Sequence, residues 1–184
     1  MSKYLLVAAA LATLGACSQP VRFVADPPAE AAPVRLRLAS LEVKDVLLPA
    51  YAIDPDILVE QPDGSLKALK KAVWADETAQ GVTQGIASAI AARSTADVAA
   101  EPWPLAAYPD AQLVVRFDRF VPQAGGTFRA SGQFALASPD RRIRESITNF
   151  DLSVPIAGDS PQAMAAARAQ MLRAVAAEVI KKLS

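Results

Sequence analysis

Residues 116–136, RFDRFVPQAGGTFRASGQFAL, contain the pattern that decides the predicted fold. After the Gly-Gly pair at 125–126, apolar and polar side chains alternate as far as Leu136. Such alternation is typical of a strand with one buried face, and the two glycines predict the turn before it. The apolar face comprises Phe128, Ala130, Gly132, Phe134 and Leu136, and the polar face comprises Thr127, Arg129, Ser131 and Gln133.

Strands are also predicted on both sides of this one. The strand after it lies beyond a Ser-Pro-Asp turn at 138–140 and ends with Phe150, Leu152 and Val154 on one face. Together the three strands predict an antiparallel meander with one buried face. The preceding strand has Leu113, Val115, Phe117 and Val121 on one face, interrupted by Arg119.

The region before the meander predicts two further β elements. Residues 34–38 alternate like a half-buried strand, and Leu41 and Val43 continue it after a slip in phase at 39–40. Residues 57–60 and 66–69 flank a Pro-Asp-Gly-Ser turn and predict a hairpin.

Two helices complete the predicted fold. The first begins after Asp76, the predicted cap, and its Gly81 and Gly85 predict close packing on a sheet. The second begins at Ser160-Pro161, with Arg168 predicted off its apolar stripe. We therefore predict an α/β two-layer sandwich, a mostly antiparallel sheet with two helices packed on one face.

The N-terminal region has the layout of a secretory signal peptide, predicted over residues 1–16. Lys3 precedes an apolar run that is too short to span a bilayer, which takes ~20 residues. The run ends at Leu14-Gly15-Ala16-Cys17, which contains the only cysteine of the chain. A buried N-terminal helix is the alternative.

The residues 14–17 resemble the bacterial lipobox. The resemblance implies cleavage before Cys17 and lipidation of its thiol, and two or more acyl chains hold a protein firmly on a membrane. Ordinary secretory cleavage near Ala16, leaving a free thiol, is the alternative. The resemblance also implies sorting to the outer membrane rather than the inner, because the residue after the cysteine is Ser18 and not aspartate. Residues 17–33 would then form the lipidated end and a proline-rich tether, and residues 34–184 the domain.

Composition excludes several classes of site. The chain has no histidine, a single cysteine, and 19 basic against 19 acidic side chains. Ser-His-Asp catalysis and Cys/His zinc sites are therefore absent, no nucleic acid partner is indicated, and we predict no enzyme activity, metal or cofactor. Asp54 and Asp56 are predicted to form a turn, since a calcium loop needs more ligands.

The arrangement resembles the ABC-type transport auxiliary lipoproteins, the family of paraquat-inducible protein C. The matching stretches are LEVKDV at 41–46 with LLPAYAIDPDILVE after it, VWADE at 73–77, the meander, the lipobox and the final helix. The resemblance implies an accessory lipoprotein of an envelope lipid transport system, lipid-anchored at the periplasmic face of the outer membrane. The partners it implies are a Mce-domain periplasmic protein and an ABC transporter or related inner-membrane component.

Two tryptophans are candidate contact residues for such a partner. Trp103 lies between prolines and is expected to be exposed, and tryptophan is enriched at interface hot spots. Trp74 is the second candidate, with a core position at the start of the first helix as the alternative. A structural or assembly lipoprotein of the outer membrane and a soluble lipid carrier are the other functions considered, and a homo-oligomer stays open.

Overall fold

The computed structural model describes residues 21–23 and 33–184. The predicted signal peptide, Cys17 and most of the predicted tether lie outside these residues. In the part of the chain that the structure describes, eight strands form one sheet. They are β1 (Val21–Phe23), β2 (Ser40–Val43), β3 (Asp56–Glu60), β4 (Leu66–Trp74), β5 (Asp97–Ala100), β6 (Ala111–Gln123), β7 (Thr127–Ala137) and β8 (Ser146–Pro155). The helices are α1 (Ala50–Ile53), α2 (Thr78–Ala91) and α3 (Pro161–Leu183).

Strand β6 is the central strand of the sheet. One edge pairs with β7 along almost its whole length, and β8 continues this ladder. The other edge is shared by β2, which pairs in parallel near the start of β6, and β3, which pairs at its end. The predicted meander is therefore confirmed, and its three strands are part of a mixed sheet.

A bulge in β6 explains the interruption at Arg119. The register with β7 shifts between Phe117 and Arg119, so the residues beyond it change face. Val121 pairs with Arg129 and lies on the opposite face from Phe117, so the prediction that these two share a face is wrong. The guanidinium of Arg119 instead binds Glu60, with Nη1 2.8 and 2.9 Å from the two carboxylate oxygens, which fastens β3 to β6.

The strands that precede the meander along the chain were predicted only in part. The hairpin of β3 and β4 is confirmed as antiparallel, and β1 joins its outer edge in parallel. Residues 34–38 form no strand and make a single bridge, from Val34 to Ser94. Leu36 and Leu38 are nevertheless buried while their neighbours are exposed, which is why the segment alternates like a strand.

The two long helices pack on one face of the sheet, so the predicted α/β sandwich is confirmed. Ser160 caps α3 as predicted, because its Oγ accepts the Ala163 N–H at 3.1 Å. The prediction that Asp76 caps α2 is wrong, since the cap position is Glu77 and no side chain there accepts a hydrogen bond.

The two glycines of α2 face α3. A Cβ on Gly85 would overlap the Leu172 side chain, and one on Gly81 would lie 3.2 Å from Arg168 Nη2. The prediction that these glycines pack on a sheet is therefore wrong. They are small because two helices pack closely there.

Gly132 allows β6 and β7 to pair across the bulge. A Cβ at Gly132 would overlap the Arg116 carbonyl oxygen and lie 2.9 Å from Phe117 Cα. Because these are backbone atoms that cannot rotate away, we expect Gly132→Ala to lower the free energy of unfolding by about 2 kcal/mol or more, as overpacking does. Urea denaturation measures the change. Gly125→Ala is the control, since nothing lies within 4 Å of its Cβ position. If both variants had an equally small effect on the free energy of unfolding, the requirement for glycine at position 132 would be contradicted.

Candidate functional site

The face of the sheet turned away from the long helices is called the open face here. It is defined on the meander by Gln112, Val114, Gln133 and Ile147, whose positions alternate with buried residues. Residues 101–110, the crossing loop, connect β5 to β6 and pass over β2, which lies between those two strands. The loop brings Trp103 to the open face, because the Trp103 N–H bonds to Glu42 there.

Glu42 holds the crossing loop in place. Only 5% of this residue is exposed, and its carboxylate accepts two hydrogen bonds. One comes from the Trp103 backbone N–H at 3.1 Å and the other from Gln112 Nε2 at 2.8 Å. A buried carboxylate must be satisfied in this way, so the loop and the sheet are bound to each other.

A second carboxylate fixes the start of the loop. Lys44 Nζ donates to Glu101, and the Asp45 backbone N–H donates to the other Glu101 oxygen at 3.1 Å. The hydrogen bond from Lys44 holds the pKa of Glu101 below its ordinary value, and the same bond raises the pKa of Lys44. Lys44 Nζ also lies 3.7 Å from Glu42, so one ammonium lies between two acids.

The end of the loop is fixed through Asp110. Its backbone N–H donates to Ser40 Oγ at 2.9 Å, and its carboxylate accepts the Ala39 N–H at 2.8 Å. The same carboxylate lies 3.2 Å from Arg142 Nε. Both ends of the crossing loop are therefore attached to β2 or the residues next to it.

The loop presents apolar side chains to solvent. Tyr108 is 93% exposed and Leu105 is 56% exposed. Trp103 is half-buried rather than exposed, because its indole lies along the loop and Nε1 donates to the Ala107 carbonyl at 2.7 Å. On the open face itself Ile147 is 70% exposed. The apolar side chains of the crossing loop form the candidate site, and exposed apolar side chains are typical of docking surfaces.

Trp74 lies in the core and is apart from this surface. It is the last residue of β4, and the Arg168 guanidinium stacks over its ring at 4.3 Å from the centroid. Only 8% of Trp74 is exposed. The structure places Trp74 in the core, as in the alternative given above. Contact with a partner through Trp74 stays a prediction.

Arg168 is buried, contrary to the prediction from the sequence. Its Nη2 donates to the Thr78 carbonyl at 3.3 Å, and burial lowers its pKa to about 10. The prediction that Arg168 lies off the apolar stripe is wrong because the ring of Trp74 and the start of α2 accept a cation there.

The aromatic residues near Trp74 enclose little space. Tyr51, Thr78 and Phe128 line a cavity with Trp74 that has a volume of about 20 Å³. That volume is close to the minimum for one water, and small-molecule pockets have ~300–1,000 Å³. The cavity therefore cannot accommodate an acyl chain as it stands.

Two features bear on other kinds of site. Asp54 Oδ1 accepts the Asp56 N–H at 2.9 Å, so the predicted turn at this pair is confirmed. Within residues 21–23 and 33–184, no cluster of three or more potential metal ligands occurs. In the same part of the chain, no helix has the length and hydrophobicity needed to cross a bilayer.

Comparison with known proteins identifies the family. The profile of the ABC-type transport auxiliary lipoprotein component matches residues 23–180. The chain belongs to this family. The resemblance inferred from the sequence is thereby confirmed, and the match begins after Cys17.

The fold is also found in solved structures. An uncharacterized protein of known crystal structure matches with a TM-score of 0.73 at 16% identity, over 90% of this chain and 99% of that one. A protein from Xanthomonas campestris matches with a TM-score of 0.63 at 20% identity, over 88% of this chain and 91% of that one. At these identities the likeness concerns the fold alone. No curated protein matches the chain.

Family membership defines the general role. The chain is an auxiliary lipoprotein component of ABC-type transport, which associates it with transporter parts at the cell envelope. The family is described as a transport component and not as an enzyme.

Part of the candidate site was predicted from the sequence. Trp103 was predicted, whereas Glu42 and the exposed Leu105 and Tyr108 were not. Tyr108 and Leu105 occur in the same proline-rich stretch as Trp103, which was the available signal. The role of Glu42 had no sequence signal, because its hydrogen-bond partners lie 61 and 70 residues away.

The Lys44–Glu101 pair predicts a pH dependence. The folded-state pKa of Glu101 is lowered from its ordinary 4.5, so the pair stabilises the fold fully above that value. This stability is lost as pH falls through the lowered pKa. We expect Glu101→Gln to lower the free energy of unfolding at pH 7 and to have a vanishing effect in strong acid. Urea denaturation across pH tests this. Asp118→Asn is the control, because Asp118 is an exposed carboxylate outside the described ion pairs. If Glu101→Gln lowered the free energy of unfolding equally at every pH, the stabilising role of the pair would be contradicted.

Proposed function

We propose that the protein is the accessory lipoprotein of a Mce-type ABC system that moves lipids across the envelope. In this proposal Cys17 carries the lipid anchor at the periplasmic face of the outer membrane, and residues 17–33 give the domain reach. The domain docks the periplasmic Mce-domain partner, and transport itself belongs to the other components.

The observation that carries the docking role is the apolar surface of the crossing loop. Tyr108, Leu105 and Trp103 lie on one loop, which is attached at both ends and is therefore already ordered before a partner binds. A preordered loop loses little conformational entropy on association. Aromatic side chains on such a surface are the residues that contribute most at interface hot spots.

Docking accounts for the chain better than lipid carriage does. A carrier must enclose an acyl chain, but the enclosed cavity near Trp74 has a volume of only about 20 Å³, and the larger grooves at residues 35–39 and at residues 135–137 are open to solvent. A surface that binds another protein needs no cavity. Trp74 in this proposal stabilises the fold, and Trp103 contributes to the contact.

Removal of the Tyr108 side chain tests the docking surface. Tyr108 is so exposed that Tyr108→Ala should leave the free energy of unfolding nearly unchanged. If Tyr108 is a hot-spot contact, its loss costs about 2 kcal/mol of binding, roughly a thirtyfold weaker Kd. Co-purification of the Mce-domain protein with the tagged lipoprotein from solubilised membranes is the measurement.

Ile53→Ala is the matched control, because Ile53 is a half-exposed apolar residue on α1, outside the crossing loop. It should leave the recovery of the partner unchanged. Recovery that is equal for Tyr108→Ala and the unaltered protein would remove the loop from the interface. Absence of any Mce-domain protein with the unaltered lipoprotein would favour a structural or assembly lipoprotein instead.

The lipid anchor has a separate test. Intact mass of the mature protein should give an N-terminus at Cys17 with diacylglyceryl and acyl additions. Cys17→Ser should retain the uncleaved N-terminal segment, because the thiol that receives the lipid is missing. An unlipidated terminus at Ser18, or an unprocessed Met1, would overturn the anchor.

A further inference from the structure

Residues 66–71 of β4 form an exposed basic segment at one edge of the sheet. Lys67, Lys70 and Lys71 are all exposed, and Leu66 beside them is partly exposed. Among the described strands, β1 covers this edge only at Ala72–Trp74. The segment therefore presents three cations along an edge that the described strands leave uncovered.

These three lysines are not part of the ion pairs of the fold. Among the described residues, the carboxylates within 4 Å of a basic group belong to pairs of Lys44, Arg119, Arg129, Arg142 and Lys181. Edge lysines also protect a sheet from pairing with another strand. That role requires positive charge at the edge and predicts nothing about anionic lipid.

The pairing of β1 limits how far the proposed anchor can lie from this segment. Val21 pairs with Ala72, and Cys17 is four residues earlier in the chain. Four residues span at most about 14 Å. Because β1 and β4 are parallel, the N-terminal end of β1 also points toward residues 66–71.

The fold has a second basic region, which lies at the opposite end of the sheet from residues 66–71. Arg35, Arg37 and Arg142 line an open groove with Ala39 and Asp110. This groove lies at the start of β2 and β6, whereas residues 66–71 lie toward the end of β6, where β3 pairs with it. Ten residues of chain separate Phe23 from Val34.

We propose that Lys67, Lys70 and Lys71 hold this edge of the sheet against the anionic headgroups of the membrane that carries Cys17. The inference rests on the proposed lipidation of Cys17. Basic residues beside a lipid anchor add attraction to an anionic surface, and the two signals together fix a protein on a membrane. The domain then has one orientation on the membrane.

The experiment measures which edge lies at the bilayer. The lipidated full chain is reconstituted in vesicles of phosphatidylcholine, alone or mixed with phosphatidylglycerol. A fluorophore is attached at Ala68→Cys or, for the other end of the domain, at Ser184→Cys. The introduced thiol is the only free one, because Cys17 is the chain's single natural cysteine and its sulfur carries the lipid. Quenchers on the headgroups report proximity.

We expect strong quenching at position 68 and weak quenching at 184 in the anionic vesicles. In phosphatidylcholine alone the quenching at 68 should fall. It should also fall when salt is raised from about 0.1 M to about 1 M, which shortens the Debye length from about 10 Å to about 3 Å. K67E/K70E/K71E should lose most of it, and K67Q/K70Q/K71Q should lose part. R35E/R37E/R144E, with the same change in charge at exposed positions, should have no effect.

Two results overturn the inference. Quenching at 68 that is independent of lipid charge and of the lysine variants means that the anchor alone holds the edge there, and stronger quenching at 184 means that the other end faces the bilayer. Intact mass of each sample separates these results from failure of the proposed lipidation, because an unlipidated chain removes the anchor and this inference together. Near-UV circular dichroism verifies that the variants are folded.

Discussion

The pairing of β6 on both edges is the constraint on which the rest of the structure depends. Ala111–Gln123 holds β7 on one side and both β2 and β3 on the other. The β7 side of β6 is paired along almost its whole length, whereas on the other side β2 and β3 pair with its two ends and Leu47 bonds to its middle. The bulge after Phe117 lets one strand serve all three partners. It turns Arg119 outward to bind Glu60 and so fixes the end of β3.

The candidate docking surface follows from the same arrangement. Because β2 lies between β5 and β6, the chain must pass over β2 to enter β6, and residues 101–110 make that crossing. The crossing buries the carboxylate of Glu42 and pairs Glu101 with Lys44. Polar groups thus fix the backbone of the loop, while its apolar side chains stay exposed. The two long helices cover the other face and leave this one open.

Local signals predicted the elements whose partners are close in sequence. The meander, the β3–β4 hairpin and the cap at Ser160 depend on alternation, turn residues and propensity, and all were found. Distant contacts decided the rest. Residues 34–38 have the burial pattern of a strand without its pairing, and β5 is too short for a pattern to be recognised.

Arg168 and Gly85 show why the packing between elements could not be predicted from the sequence. Arg168 is buried because Trp74, which is 94 positions earlier, provides a ring to stack on. Gly85 faces Leu172 of the other helix rather than the sheet. Of the candidate site, Trp103 was predictable from composition, whereas Glu42 was not, because only the parallel pairing of β2 brings it under the loop.

The parallel pairing of β2 also has a kinetic consequence. Leu41 pairs with Ala111 in the sheet, so β2 cannot pair with β6 until residues 70 positions further along the chain are available. Long sequence separations slow folding, whereas the meander closes through local turns. A chain that emerges N-terminus first therefore exposes the apolar residues of β2 until the meander has formed, and this interval is when the protein is most prone to aggregate.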